Sequence, residues 1–269
     1  MMISRRKIGF WERISLTNKL IFIICFTSIV SFILSAIFGA SFFSNYIGIT
    51  PSLIFSGKSI WTFLTSIFSH GGFFHLFANM FSLFFLGNFL EKLIGKKRFF
   101  WVFFIAGIFG GIFYCISSYI FGGMSIPAVG ASGAIFGLLG VLAVLVPYSR
   151  IYLILGPFIL LFLEVVLSNI LPASFLPAFN LIVNLLFILM IFSIFSFNAT
   201  LRKISFPVEL KMWALPLIAI VPLIILGFFV SLPIGNSAHL GGLFVGLIYG
   251  FYLKTKFPNK ARIIRNNFQ

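Results

Sequence analysis

His75 and Asn79 stand four residues apart, which puts both side chains on one face of a helix. Further along, Gly130-Ala131-Ser132-Gly133-Ala134-Ile135-Phe136-Gly137 sets a serine among glycines at the head of an apolar run. Ser237-Ala238-His239-Leu240-Gly241-Gly242 opens another such run. A serine hydroxyl attacks poorly until a base takes its proton, and a neutral imidazole is suited to that task near pH 7. A second histidine and an amide add two polar donors, and with a nucleophile and a base these make an acyl-transfer constellation. Rival chemistries lack their residues. The chain contains no Asp, and its four acids are Glu12, Glu91, Glu164 and Glu209. An aspartyl pair is therefore impossible. A Ser-His-Asp triad fails too, because Glu91 falls about 18 Å below Asn79 by helical rise. His70 is followed by Gly71, so the His-Glu-x-x-His zinc pattern is missing as well. What remains is a Ser132–His239 dyad, with no metal and no cofactor implied.

Taken singly, each feature has a plainer reading. Gly242, Gly246 and Gly250 form a small-xxx-small stripe, and Gly133 and Gly137 form another, as close helix packing requires. A lone Ser132 can bond its own backbone, and His75 with Asn79 can hold two helices together. His70 lies five residues before His75, about 140° away around a helix, and reads as a loop or supporting residue.

The elements that must position these groups follow from composition. Of 269 residues, 61% are hydrophobic and only 9% charged, against about 25% in soluble domains. With 40 Phe and a mean hydropathy of +1.16, no water-facing shell can cover the apolar surface. Cys25 and Cys115 both sit in apolar runs, which argues against a disulfide scaffold. The chain reads as an all-α polytopic membrane protein. A bilayer core about 30 Å thick needs roughly 20 apolar residues per helix. On that basis spans fall near 20–43, 70–90, 99–120, 132–148, 151–171, 179–197, 213–231 and 236–253. The first is too long for a signal-peptide core.

Net charge supports the count. The formal charge of +15 would suggest nucleic acid on a soluble chain, but here the basic residues lie between spans. With eight spans and the N-terminus inside, the segments 1–19, 91–98, around 150, 198–212 and 254–269 face the cytoplasm. All the Lys and Arg residues except Lys58 fall there. Both termini are then cytoplasmic, as a basic N-terminal segment 1–19 and a basic tail 254–269 flanking a membrane domain 20–253. The loop 44–69, with Pro51 and Trp61, lies at the membrane interface. Ser132 opens a helix running inward, and His239 sits three residues into another of the same direction. They therefore share one depth below the outer surface, and His75 and Asn79 begin their span in the same layer.

In this order, His75-Leu76-Phe77-Ala78-Asn79, Gly130-Ala131-Ser132-Gly133 and Ala238-His239-Leu240-Gly241-Gly242 resemble the rhomboid family of intramembrane serine proteases. The wording of the motifs is of prokaryotic, archaeal type. The resemblance runs from about Pro51 to Leu253, with Trp61 before the second span and Glu91 closing it. It implies a six-helix core and hydrolysis of peptide bonds in or near transmembrane segments of protein substrates. Ser132 would be the nucleophile and His239 the base and acid. The oxyanion would be held by His75, Asn79 and the Ser132 N–H. Gly130, Gly133, Gly137, Gly242 and Gly246 would support the site. Its partners would be transmembrane proteins and lipid, not nucleic acid, and its place the cell membrane. The family also implies a gating role for the helix over 213–231.

Two features depart from the pattern. Trp61 is followed by Thr62 where many members have Arg, which bears on loop anchoring. Three spans rather than one separate the serine and histidine helices, so 151–197 reads as an inserted helical hairpin. Two alternatives stay open. A catalytically silent rhomboid-like protein that binds transmembrane helices would share the fold, although that branch usually loses Ser or His. A transporter would need paired polar groups at the midplane, where Glu164 stands with only Asn180 and Asn184 as possible partners.

Overall fold

The structure is a computed structural model that describes residues 14–168, 170–194, 198–227 and 235–268. The basic positions Arg5, Arg6, Lys7 and Arg13, and residues 232–234 of the expected outer loop, lie outside the described residues. The chain divides into two compact units. One runs to Tyr148 and resumes at Trp213, and the other is Ser149–Met212.

In the first unit, helix α1 (Leu16–Phe42) ends in a π-helical turn, Phe43–Ile47. Its first turn has backbone donors with no partner in the helix, and two groups take them. Ser15 caps Asn18 N–H at 3.1 Å. The buried Glu91 carboxylate accepts from Leu16 N–H (2.9 Å), Thr17 N–H (2.7 Å) and Thr17 Oγ (2.7 Å). A negative charge at a helix N-terminus is also favoured by the helix dipole. One of the four acids thus fastens the start of α1 to the end of α4.

The following segment carries two short helices, α2 (Pro51–Phe55) and α3 (Thr62–Thr65), and a 3-10 turn, Ser66–Phe68. Trp61 is 52% exposed, stacks on Tyr46 and donates to Tyr46 O at 3.2 Å, an amphipathic placement suited to an interface. Next come α4 (Phe73–Ile94, with a π-helical turn at Leu83–Gly87), α5 (Lys96–Phe121) and α6 (Ser132–Leu145). After the second unit the chain continues with α9 (Leu215–Gly227), α10 (Asn236–Lys256) and α11 (Pro258–Asn267).

Helix α6 is the core. Of its 14 residues 11 are buried, and it stops just before Pro147. It packs against α10 backbone to backbone. A Cβ at Gly242 would lie 1.9 Å from Gly133 O, and one at Gly246 would lie 2.0 Å from Gly137 O. Against α5, a Cβ at Gly137 would meet Ala106 Cβ at 2.2 Å. The glycine stripes are therefore contact surfaces. Without a hydrophobic driving force between helices in lipid, such close approach is what holds them together.

The second unit begins and ends on one antiparallel ribbon. Strand β1 (Arg150–Ile154) pairs with β2 (Pro207–Lys211), with Arg150 opposite Lys211 and Ile154 opposite Pro207. Met212 N–H bonds Ser149 O at 2.9 Å, so the two ends of the unit meet. Between the strands lie α7 (Leu155–Ser168), α8 (Leu176–Ile194), a helical turn at Ala199–Arg202 and a 3-10 turn at Lys203–Ser205. The span expected from 151 thus starts as strand, because Arg150–Ile154 finds a partner in the distant segment Pro207–Lys211. Arg150 pairs with Glu209 at 3.0 Å, and Tyr152 Oη donates to the same carboxylate at 3.1 Å. Asn180 and Asn184 are exposed on α8, and no hydrogen bond joins either to Glu164 among the described residues.

Among the described residues four helices are long and apolar enough to cross a membrane: α1 with its terminal turn, α4, α5 and α8. Helix α6 is shorter. Its 14 residues rise about 21 Å against a hydrocarbon thickness near 30 Å. Placed across a bilayer, such a helix leaves irregular chain at membrane depth beyond one or both of its ends. That is tolerated only where backbone is buried in protein or lines a wet cavity.

Candidate active site

Ser132 is the first residue of α6 and half-buried; His239 is the fourth of α10 and 8% exposed. The glycine contacts bring these two helix starts together. Ser132 Oγ and His239 Nε2 are 2.8 Å apart across 107 residues of chain. For Nε2 to accept the hydroxyl proton, the ring must carry its own proton on Nδ1. That atom is buried with no protein partner among the described residues. The ring is oriented instead by Phe136, whose plane lies 19° from it at 4.5 Å between centroids. Phe136 is one turn below Ser132, so one helix supplies both the hydroxyl and the surface that aligns its base.

The turn entering α6 is shaped by Gly130, at φ +130, where a side chain would be strained. A Cβ there would also lie 2.9 Å from both Cε1 and Nε2 of His75 and 3.7 Å from Ser132 Oγ. The His75 ring edge and the serine hydroxyl thus converge on the same bare Cα. His75 Nδ1 accepts Gly71 N–H at 3.4 Å, which leaves the proton on Nε2, the atom that faces the turn. Asn79 is buried on the same helix, one turn on. Its Nδ2 donates to His75 O at 2.8 Å, so one amide proton is spent on its own backbone and one is free.

The backbone of the turn completes the arrangement. Gly130 N–H bonds Ser66 O (2.9 Å) and Ala131 N–H bonds His70 Nε2 (3.4 Å). Ser132 N–H, at the head of the helix, has no protein acceptor among the described residues. A free N–H on the positive end of a helix dipole, beside a ring N–H and an amide, can bind a developing oxyanion.

Of the residues singled out in the sequence, Ser132, His239, His75 and Gly130 meet at one point. Asn79 lies in the same layer, and Gly133, Gly137, Gly242 and Gly246 bring the helices into contact. Phe136 was missed, while His70 was read as a loop or supporting residue without its contact to Ala131. His70 was judged by helical periodicity, yet Gly71-Gly72 precede α4, so it sits on a loop and turns toward Ala131. The Gly-Gly pair was the available signal.

These features define a class: an α-helical polytopic membrane protein with a serine–histidine pair at abutting helix starts. Residues 57–186 match the Rhomboid domain, a segment that includes His75, Asn79 and Ser132 and ends before His239. The chain is 34% identical over 93 residues to Inactive RHOMBOID-like protein 8 of Arabidopsis thaliana, covering 35% of this chain and 25% of that protein. It is 43% identical over 89 residues to RHOMBOID-like protein 1 of the same plant, covering 33% and 22%. It is 42% identical over 91 residues to Rhomboid protease GluP of Bacillus subtilis, covering 34% and 17%. The chain therefore spans a quarter or less of the length of these relatives. Over residues 57–186, just under half of its length, it is similar to the rhomboid family.

Proposed function

We propose that this chain is an intramembrane serine endopeptidase that cleaves single-span membrane proteins in or just outside their transmembrane helix. The observation that carries this reading is the 2.8 Å Ser132 Oγ–His239 Nε2 contact at the head of the short, buried α6. One relative is named inactive and another a protease, so family likeness alone does not decide activity. The intact pair favours catalysis.

In the proposed reaction, Ser132 Oγ attacks the scissile carbonyl as His239 Nε2 takes its proton. The tetrahedral oxyanion accepts from Ser132 N–H, His75 Nε2–H and the free Asn79 amide proton. His239 then protonates the leaving amine, and an acyl-serine remains. Water, deprotonated by the same imidazole, hydrolyses that ester and restores the hydroxyl. No carboxylate takes part; stacking on Phe136 holds the ring where a triad would use an acid. Substrate helices must unwind locally, since a hydrogen-bonded helix hides its carbonyls from attack. Helix α9 carries an internal Pro222 that removes one helical bond, and we assign it the gate past which substrate enters. Both termini are assigned to the cytoplasm, with the site open to the outer face.

The test is cleavage of a single-span reporter by purified protein in liposomes. Wild type should cut it, whereas Ser132→Ala and His239→Ala should both be inert with unchanged thermal unfolding. A folded wild-type protein that binds the reporter without cutting it would favour the silent, helix-binding alternative.

A further inference from the structure

We infer that His70, with the α1 hydroxyls Thr27, Ser28 and Ser31, is a positioning unit that holds the Gly130–Ser132 turn and so sets the attack geometry of Ser132. This rests on the proteolytic reading above. It reaches beyond it because α1 lies outside the matched segment 57–186.

The hydrogen bonds run in one direction. Ala131 N–H can bond only a ring nitrogen with a lone pair, so His70 Nε2 is the acceptor, at 3.4 Å. The ring proton is then on Nδ1, which donates to Ser28 Oγ at 3.0 Å, and Ser28 passes its own proton to Phe68 O at 3.2 Å. Thr27 Oγ donates to the same carbonyl at 2.6 Å, and Ser31 Oγ bonds Ser69 Oγ at 2.8 Å. Every donor finds an acceptor, and His70 and Ser28 are fully buried. A polar network so buried and so completely satisfied is rigid, whereas loss of one member strands the others.

The effect falls on the turn. Gly130 and Ala131 spend their N–H groups on Ser66 O and His70, both part of the 66–70 segment that the α1 hydroxyls grip. Ser132 N–H is left for the substrate. The His70 ring also meets the edge of His75 at 5.0 Å. The turn is thus held from behind by His70 and faced by His75. His70 touches no reacting atom; it acts through Ala131.

The test compares His70→Phe, His70→Gln and Ser28→Ala in the reporter assay, with thermal unfolding alongside. Gln can place an oxygen acceptor near the Nε2 position; Phe fills the volume with none. A turn displaced by around 1 Å should lower kcat roughly 10- to 100-fold in His70→Phe, with KM unchanged. His70→Gln should recover most of that loss, and Ser28→Ala should show a smaller loss of the same kind. Hydrogen exchange of the peptide covering Gly130–Ser132 supplies a readout that needs no activity. It should speed up in His70→Phe and Ser28→Ala and stay near wild type in His70→Gln. Equal behaviour of Phe and Gln in exchange, or unaltered exchange in Ser28→Ala, overturns the positioning role. A wild-type protein that fails to cleave while exchange follows the expected order overturns only the protease reading. If His70→Phe does not fold, Ser28→Ala and His70→Gln decide the matter.

Discussion

Replacing Gly242 by alanine adds one methyl group where there is no room for it. The new Cβ would stand 1.9 Å from Gly133 O, roughly 1.5 Å short of ordinary van der Waals contact. The obstacle is a backbone carbonyl in the first turn of a buried helix, so neither side can yield by a rotamer change and α6 and α10 must move apart. Gly242 is three residues after His239, and Gly133 directly follows Ser132, so the separation is applied at the reacting pair. A 2.8 Å contact opened by even 1 Å is no longer a hydrogen bond. Overpacking of this kind costs about 1–3 kcal/mol of stability, while a misplacement near 1 Å at a reacting centre costs on the order of 100-fold in rate. Gly246→Ala meets an equivalent clash, 2.0 Å from Gly137 O, one turn farther from the pair. Gly250→Ala meets a milder obstacle, the Val144 side chain at 2.9 Å and the Val141 Cα at 3.3 Å. The loss of kcat should therefore rank Gly242 above Gly246 above Gly250, while Gly242→Ala and Gly246→Ala lose similar stability. Reporter cleavage in liposomes and thermal unfolding of the purified variants measure both. Gly242→Ala protein that cleaves at near wild-type rate would refute the claim that helix contact sets the Ser132–His239 distance.

Further outcomes follow from the same geometry. Asn79→Ala should lower kcat about 10²–10³-fold with KM little changed, because the amide acts on charge present only in the transition state; unaltered kcat with a lower Tm would make Asn79 a packing residue. Glu91→Ala should lower Tm through roughly 2–3 kcal/mol of stranded donors at the α1 N-terminus, while cleavage well below the new Tm persists; an unchanged Tm would contradict the role of that carboxylate. A cysteine placed at Ser174 should react with a membrane-impermeant maleimide from the outer side, and labelling only from the cytoplasmic side would overturn the assigned orientation.

The sequence carried the site further than the fold around it. Ser132 and His239 could be paired from the sequence because each lies within the first four residues of a helix, so rise per residue locates it without knowledge of the partner. The glycine stripes likewise signal contact wherever they stand. His70 was legible as a loop or supporting residue but its partner was not, because a 100° wheel says nothing about where a residue before Gly71-Gly72 turns. Ile151-Tyr152-Leu153-Ile154 read as the start of a span because a short apolar run fits helix or strand equally. Its strand state depends on Pro207–Lys211, which no local pattern announces. The π-helical turns at Phe43–Ile47 and Leu83–Gly87 fall in apolar sequence with no distinguishing residue.

The central claim is that His239 activates Ser132 as a nucleophile, and a fluorophosphonate probe tests it most directly. Incubated with protein in liposomes and mapped by peptide mass, the probe should modify wild type at Ser132, leave Ser132→Ala unlabelled, and react far more slowly with His239→Ala. Labelling of wild type at another residue, or at Ser132 with equal speed when His239 is gone, would contradict it.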